Sequence, residues 1–86
     1  MKRWTVVFRA LANINRLKII SMLVGGKRMN VGEIAEKLKI SFNATSNHLA
    51  ILKNLDVLEG EGKKGHVIYS LNSQMPADFR KTISLL

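Results

Sequence analysis

Two helix-length apolar patterns stand almost end to end in the middle of this chain, and their spacing limits what it can fold into. In the first, Val31, Ile34, Ala35 and Leu38 recur at helical intervals. In the second, Thr45, Leu49, Leu52 and Leu55 do the same, with Ile51 as an additional apolar position nearby. Each pattern has its own start signal. Asn30 stands before Glu33 at the spacing of a capping box, and Ser41 is a good N-cap for the second helix. Only about three residues are left for the turn near Ile40, as in a tight helix–helix connection. Such a pair is a helix-turn-helix, whose second helix is shaped to enter a DNA major groove.

The flanks fill in the rest. Trp4, Val7, Phe8 and Leu11 form the stripe of a short first helix. Asn13 can cap a second, carried by Ile14, Leu17, Ile20 and Leu23 with Ile19 and Val24 beside them. Gly25 and Gly26 end it, and Lys27 and Arg28 follow in a loop. After Leu55 the period changes. Val57-Leu58-Glu59 reads as a short strand, residues 60–65 as a turn rich in glycine and lysine, and Val67, Tyr69 and Leu71 as the alternation of a second strand. Pro76 suits the first turn of a last helix with Phe79, Ile83 and Leu86 on its apolar stripe. The expected order is four helices, a hairpin and a helix: a mainly α chain with a small β-hairpin wing, a winged helix-turn-helix. Residues 1–86 read as one domain with no linker.

Charge then narrows the partner. Fourteen Lys and Arg against six Asp and Glu give a formal net charge of +8, which draws the chain to polyanions. No apolar run approaches the ~20 residues of a membrane span. Arg9, Asn13, Asn15 and Arg16 interrupt the N-terminal apolar stretch too early for a signal peptide. A chain of the cytoplasm is expected, with no membrane partner.

The second helix of the pair divides its faces as a DNA reader would. With Thr45, Leu49, Leu52 and Leu55 turned inward, the outside keeps Ser41, Phe42, Asn43, Ala44, Ser46, Asn47 and His48 near its N-terminal half. Asn pairs with adenine through two hydrogen bonds, Ser serves several bases, and Phe42 can pack on a thymine methyl. Lys63, Lys64 and His66 at the hairpin tip, with Arg28 and Lys53, are candidates to hold phosphates. Glu59 and Glu61 would repel DNA and are expected to point elsewhere.

In sequential order these segments resemble one family. Residues 13–23, with Arg16, Leu17 and Ile19, are similar to the second helix of ArsR/SmtB-type bacterial regulators. Val31-Gly32-Glu33-Ile34-Ala35-Glu36-Lys37-Leu38 resembles their third helix. Residues 41–55, with Ser46, His48, Leu49 and Leu52, resemble their recognition helix, and Gly65-His66-Val67-Ile68-Tyr69-Ser70-Leu71 the return strand of their wing. The resemblance implies a homodimeric winged-helix transcription factor, usually a repressor, whose first and last helices pack against their copies. That assigns Trp4, Val7, Phe8, Phe79 and Ile83 to a dimer interface. Double-stranded DNA with two-fold symmetry would follow, its half-sites about 10 bp apart. The chain departs from the family pattern at Lys39, where glycine is frequent, and at Asn47, where arginine is frequent. It also lacks the metal-sensing cysteines of many members, having none at all.

No cofactor, metal site or catalytic group is expected. His48 and His66 are the only histidines and fall on different elements. No phosphate-binding glycine loop precedes a helix, and no buried acid partners a Ser-His pair. Two other readings stand beside it: an architectural protein that shares the charge and binds DNA without sequence preference, and a winged helix that contacts protein or RNA, although a protein contact would not need the basic tip.

Overall fold

The computed structural model describes residues 2–86. Helix α1 spans Lys2–Leu11, α2 Ile14–Leu23, α3 Val31–Leu38 and α4 Phe42–Asn54. Strand β1 is Met29–Asn30, β2 Leu58–Lys63 and β3 His66–Leu71, and α5 is Ala77–Ile83. The three strands form one antiparallel sheet in the order β1-β3-β2.

Helix starts follow the caps read from sequence. The Asn13 side chain accepts from the backbone N–H of Asn15 and Arg16 at 3.0 and 3.2 Å. Asn30 and Glu33 close a reciprocal capping box at 2.8 and 2.9 Å. Ser41 Oγ accepts from Ala44 N–H at 3.0 Å. Each such cap contributes about 1 kcal/mol. They fix where α2, α3 and α4 begin, and therefore which faces turn inward.

Both ends of the helix-turn-helix close by the same device. After α3, Lys39 adopts the left-handed conformation at φ 58°, and the N–H groups of Lys39 and Ile40 donate to Glu36 and Ala35 at 3.3 Å each. After α4, Asp56 does likewise at φ 61°, with Asp56 N–H on Lys53 and Val57 N–H on Leu52, both at 3.0 Å. This is the Schellman pattern, here without glycine. The left-handed lysine and aspartate each cost about 1 kcal/mol. Burial of Val57 and packing of Ile40 against the core oppose that cost. Lys39 thus makes the turn that glycine makes elsewhere.

The core lies where the helices meet the sheet. Val7, Ile19, Ile20, Leu23, Ile34, Leu49, Leu52, Val57 and Phe79 are fully buried. Thr45 is buried with them, and its hydroxyl donates to Ser41 O at 2.9 Å, so no polar group there is stranded.

Two features of the sheet differ from the sequence reading. Strand β1 was not expected, because two residues show no periodicity; Asn30 both ends it and caps α3. The hairpin turn is also shorter than residues 60–65. Lys63 pairs with His66, leaving Lys64 and Gly65 as a two-residue turn with φ 47° and 81°, the positive pair that suits the twist of a hairpin. Gly60 belongs to the strand for a different reason. A Cβ there would lie 3.0 Å from Val67 and 3.3 Å from Tyr69, so the glycine makes room for those side chains.

Candidate nucleic-acid interface

The recognition face forms because α4 buries one side completely. Thr45, Leu49 and Leu52 lie inside, while Phe42, Asn43, Asn47 and Lys53 are exposed. Ala44, Ser46 and His48 are half-buried along the edges of that face. The structure therefore brings the expected reading residues together on one side of one helix. Ser41 is exposed but already serves as the N-cap, which leaves its hydroxyl proton free to donate.

The wing meets this face across a groove of about 450 Å³. Phe42 and Ser46 of α4 and Val67 and Tyr69 of β3 line it, together with Asn30, the N-cap of α3. Glu59 and Glu61 alternate with Gly60, whose side of the strand is filled by Val67 and Tyr69. Alternation therefore puts the two acids on the opposite face of the wing. Lys63 shares their alternation, whereas Lys64 occupies the turn itself. Lys63, Lys64 and His66 are all exposed. Val67 and Tyr69 join the site beyond the residues expected from sequence; Gly60 of β2, which admits them, was the available signal.

Arg28 is not a free cation. Its guanidinium is paired with Glu61 on the acid face of the wing. Both side chains are exposed, so the pair adds little to stability. It does remove Arg28 from the set of unengaged phosphate holders.

His48 is held from behind. Its Nδ1 lies 3.4 Å from Nη1 of Arg16 on α2. Partial burial, and then the positive charge of Arg16, push the imidazole pKa below its ordinary value. His48 thus stays neutral to more acid pH than a free histidine. In the sequence Arg16 stands out only as part of a family pattern and as a break in the N-terminal apolar stretch. Its position held a clue, since a cation in the first turn of a helix opposes the dipole and must find compensation elsewhere. His66 sits apart on β3, and among the described residues no cluster of three His, Cys, Asp or Glu side chains could hold a metal ion.

The terminal helices pack on each other through Arg3 and Asp78. Arg3 Nε donates to Asp78 Oδ2 at 2.6 Å and Nη2 to Oδ1 at 3.3 Å. The same guanidinium lies 5.3 Å from the centre of the Phe79 ring. The hydrogen bond from Arg3 holds the Asp78 carboxyl below the usual carboxylate range. Of the residues expected at a dimer interface, Val7 and Phe79 are corrected. Both are fully buried within the protomer, because their stripe is the one that closes the core. Trp4 and Phe8 lie outside it at 41% and 61% exposure, their rings stacked at 5.8 Å. Ile83 is half-buried, and Leu85 and Leu86 beyond α5 are exposed.

Comparison with known proteins places this arrangement. Residues 13–59 match the model of the bacterial regulatory protein arsR family. The transcriptional repressor SdpR of Bacillus subtilis is 40% identical over 72 residues, covering 84% of this chain and 79% of SdpR. The transcriptional activator HlyU of Vibrio cholerae is 35% identical over 68 residues, covering 79% of this chain and 62% of HlyU. A solved structure of that HlyU superposes with a TM-score of 0.81 at 31% identity, covering 98% of this chain and 87% of the other. A homodimeric winged helix-turn-helix DNA-binding domain from Mycobacterium bovis does so with a TM-score of 0.78 at 25% identity, covering 98% and 74%. Among the described residues no helix is long and apolar enough to cross a membrane. With a recognition helix, a wing and these relatives in place, the chain belongs to the arsR family of bacterial regulatory proteins and is a DNA-binding transcriptional regulator.

Proposed function

We propose that the protein is a homodimeric repressor that binds an operator of two-fold symmetry. Each copy lays the N-terminal half of α4 in a major groove. Asn43, Ser46 and Asn47 read base edges, with Phe42 against a thymine methyl and Ala44 allowing close approach. Ser41 and His48 flank them. Lys64 at the wing tip, with Lys63, His66 and Lys53, holds the phosphate backbone. The observation that carries this reading is the division of α4, with Thr45, Leu49 and Leu52 buried on one side and Phe42, Asn43 and Asn47 exposed on the other.

Pairing through α1 and α5 is supported by the exposed Trp4–Phe8 stack on α1 and the exposed Leu85 and Leu86 just beyond α5. Apolar patches of this kind on small soluble domains mark contact surfaces. Repression is favoured because SdpR, the relative of which this chain covers the larger share, is named as a repressor. The absence of cysteine removes thiolate metal sensing from the reading.

Selection from a random duplex pool at near-physiological salt tests it. An enriched inverted repeat with half-sites about 10 bp apart is expected. Retention without enrichment would indicate an architectural DNA binder. No retention would turn the reading towards a protein or RNA partner.

A further inference from the structure

Arg16 joins three helices. It stands in the first turn of α2, where the helix dipole disfavours a cation. Its side chain reaches back to the C-terminal end of α1, where carbonyls lack helical partners and carry partial negative charge. There Nε donates to Ala10 O at 2.6 Å and Nη2 to Arg9 O at 3.2 Å. With two arms fixed on α1, the third, Nη1, is held 3.4 Å from Nδ1 of His48 on α4.

The chemistry of this contact has only one sense. A guanidinium carries N–H donors and no acceptor. Nδ1 of His48 must therefore present its lone pair to Arg16. A neutral imidazole with a lone pair on Nδ1 carries its proton on Nε2. The two nitrogens stand on opposite sides of the ring, so Nε2 is directed away from Arg16. Among the described residues no hydrogen bond occupies it.

We propose that Arg16 is a positioning residue that locks His48 in its Nε2–H tautomer, so that α4 presents a fixed donor to a phosphate oxygen of the DNA backbone. The proposal rests on the DNA-binding reading above and adds to it a defined atom and a reason for its state. It also ties the direction of a DNA contact to the end of α1, the helix assigned to pairing. A histidine without this clasp would divide its proton between the two nitrogens and lose part of its population to the wrong donor.

Two experiments decide it. The first reads the His48 ring nitrogens by 15N-edited NMR in the free protein near neutral pH. Nδ1 unprotonated and Nε2 protonated are expected, with a mixture appearing in Arg16→Met. A mixed or Nδ1–H ring in the parent overturns the proposal. The second needs no change at Arg16, whose loss could disturb folding. Glutamine places its amide nitrogen near the position of Nε2, and asparagine near that of Nδ1. His48→Gln is expected to bind the selected inverted-repeat duplex nearly as the parent does. His48→Asn is expected to bind it roughly tenfold more weakly, the scale of a lost hydrogen bond to a charged group. Equal binding by the two variants overturns the role of Nε2 alone. Failure of the parent to bind any duplex overturns the DNA reading and that role together.

Discussion

The helix-turn-helix and the pair of terminal helices are built from the same kind of short amphipathic helix, yet they finish differently. In α3 and α4 the inward strip is covered by the chain's own core, and the outer side is mostly polar. In α1 and α5 one strip is covered in the same way, through Val7 and Phe79, while α1 keeps a second apolar strip in water at Trp4 and Phe8. A helix with one apolar strip is completed by its own fold. A helix with two is completed only by something else, and the pairing proposed above would meet that need.

Substituting one aromatic from each strip separates the two cases. Phe79→Ala should lower unfolding stability by about 3–5 kcal/mol, read as a shift in the urea midpoint, because a fully buried ring leaves a cavity. Phe8→Ala should leave the isolated protomer within about 0.5 kcal/mol of the parent. It should instead weaken self-association by on the order of 2 kcal/mol, read by sedimentation equilibrium. Were Phe8→Ala as fully associated as the parent, the exposed strip would have some other purpose and the comparison would break.

Between α4 and the wing the same contrast is drawn between base reading and phosphate holding. Asn43→Ala should relax preference at one position of the operator by about 1–3 kcal/mol while sparing the rest. Lys64→Ala should weaken binding to every duplex and reduce the slope of log affinity against log salt by about 0.9. Equal losses on all sequences for Asn43→Ala would remove that residue from the reading set.

How much of this was legible in the sequence depended on how local the signal was. Asn13, Asn30 and Ser41 announce their helices because a cap is decided within four residues. Thr45, Leu49 and Leu52 announce a buried face because period alone decides it. The strand β1 gave no such signal, and the fate of Arg28 rested on Glu61, thirty-three positions away. The strip of Val7 looked continuous with that of Phe8, since both fit one helical stripe. Only the placement of α5, with Phe79 beneath Arg3, shows which of the two closes the core. Arg16 and His48 likewise lie 32 positions apart and meet only in the folded chain.

The smallest expected effect concerns the joint between the terminal helices. Asp78 receives both hydrogen bonds from Arg3 and also accepts from the N–H of Phe79 at 2.8 Å. The bond from Arg3 leads in holding its pKa below the ordinary carboxylate value, against the opposing effect of burial. As pH falls through about 4, the carboxyl of the unfolded chain takes up its proton first. The unfolded state then binds more protons than the folded one, so stability falls with pH. The loss ends once pH passes the depressed folded value. Above that window the contribution is fully present. Asp78→Asn removes the titration while keeping the size of the side chain, so its urea midpoint should decline less steeply than the parent's on acidification below pH ~4. Parallel declines in the two proteins would mean that Arg3 and Asp78 meet without holding α1 to α5. The orientation of the exposed aromatic strip would then depend on the buried Val7–Phe79 side alone.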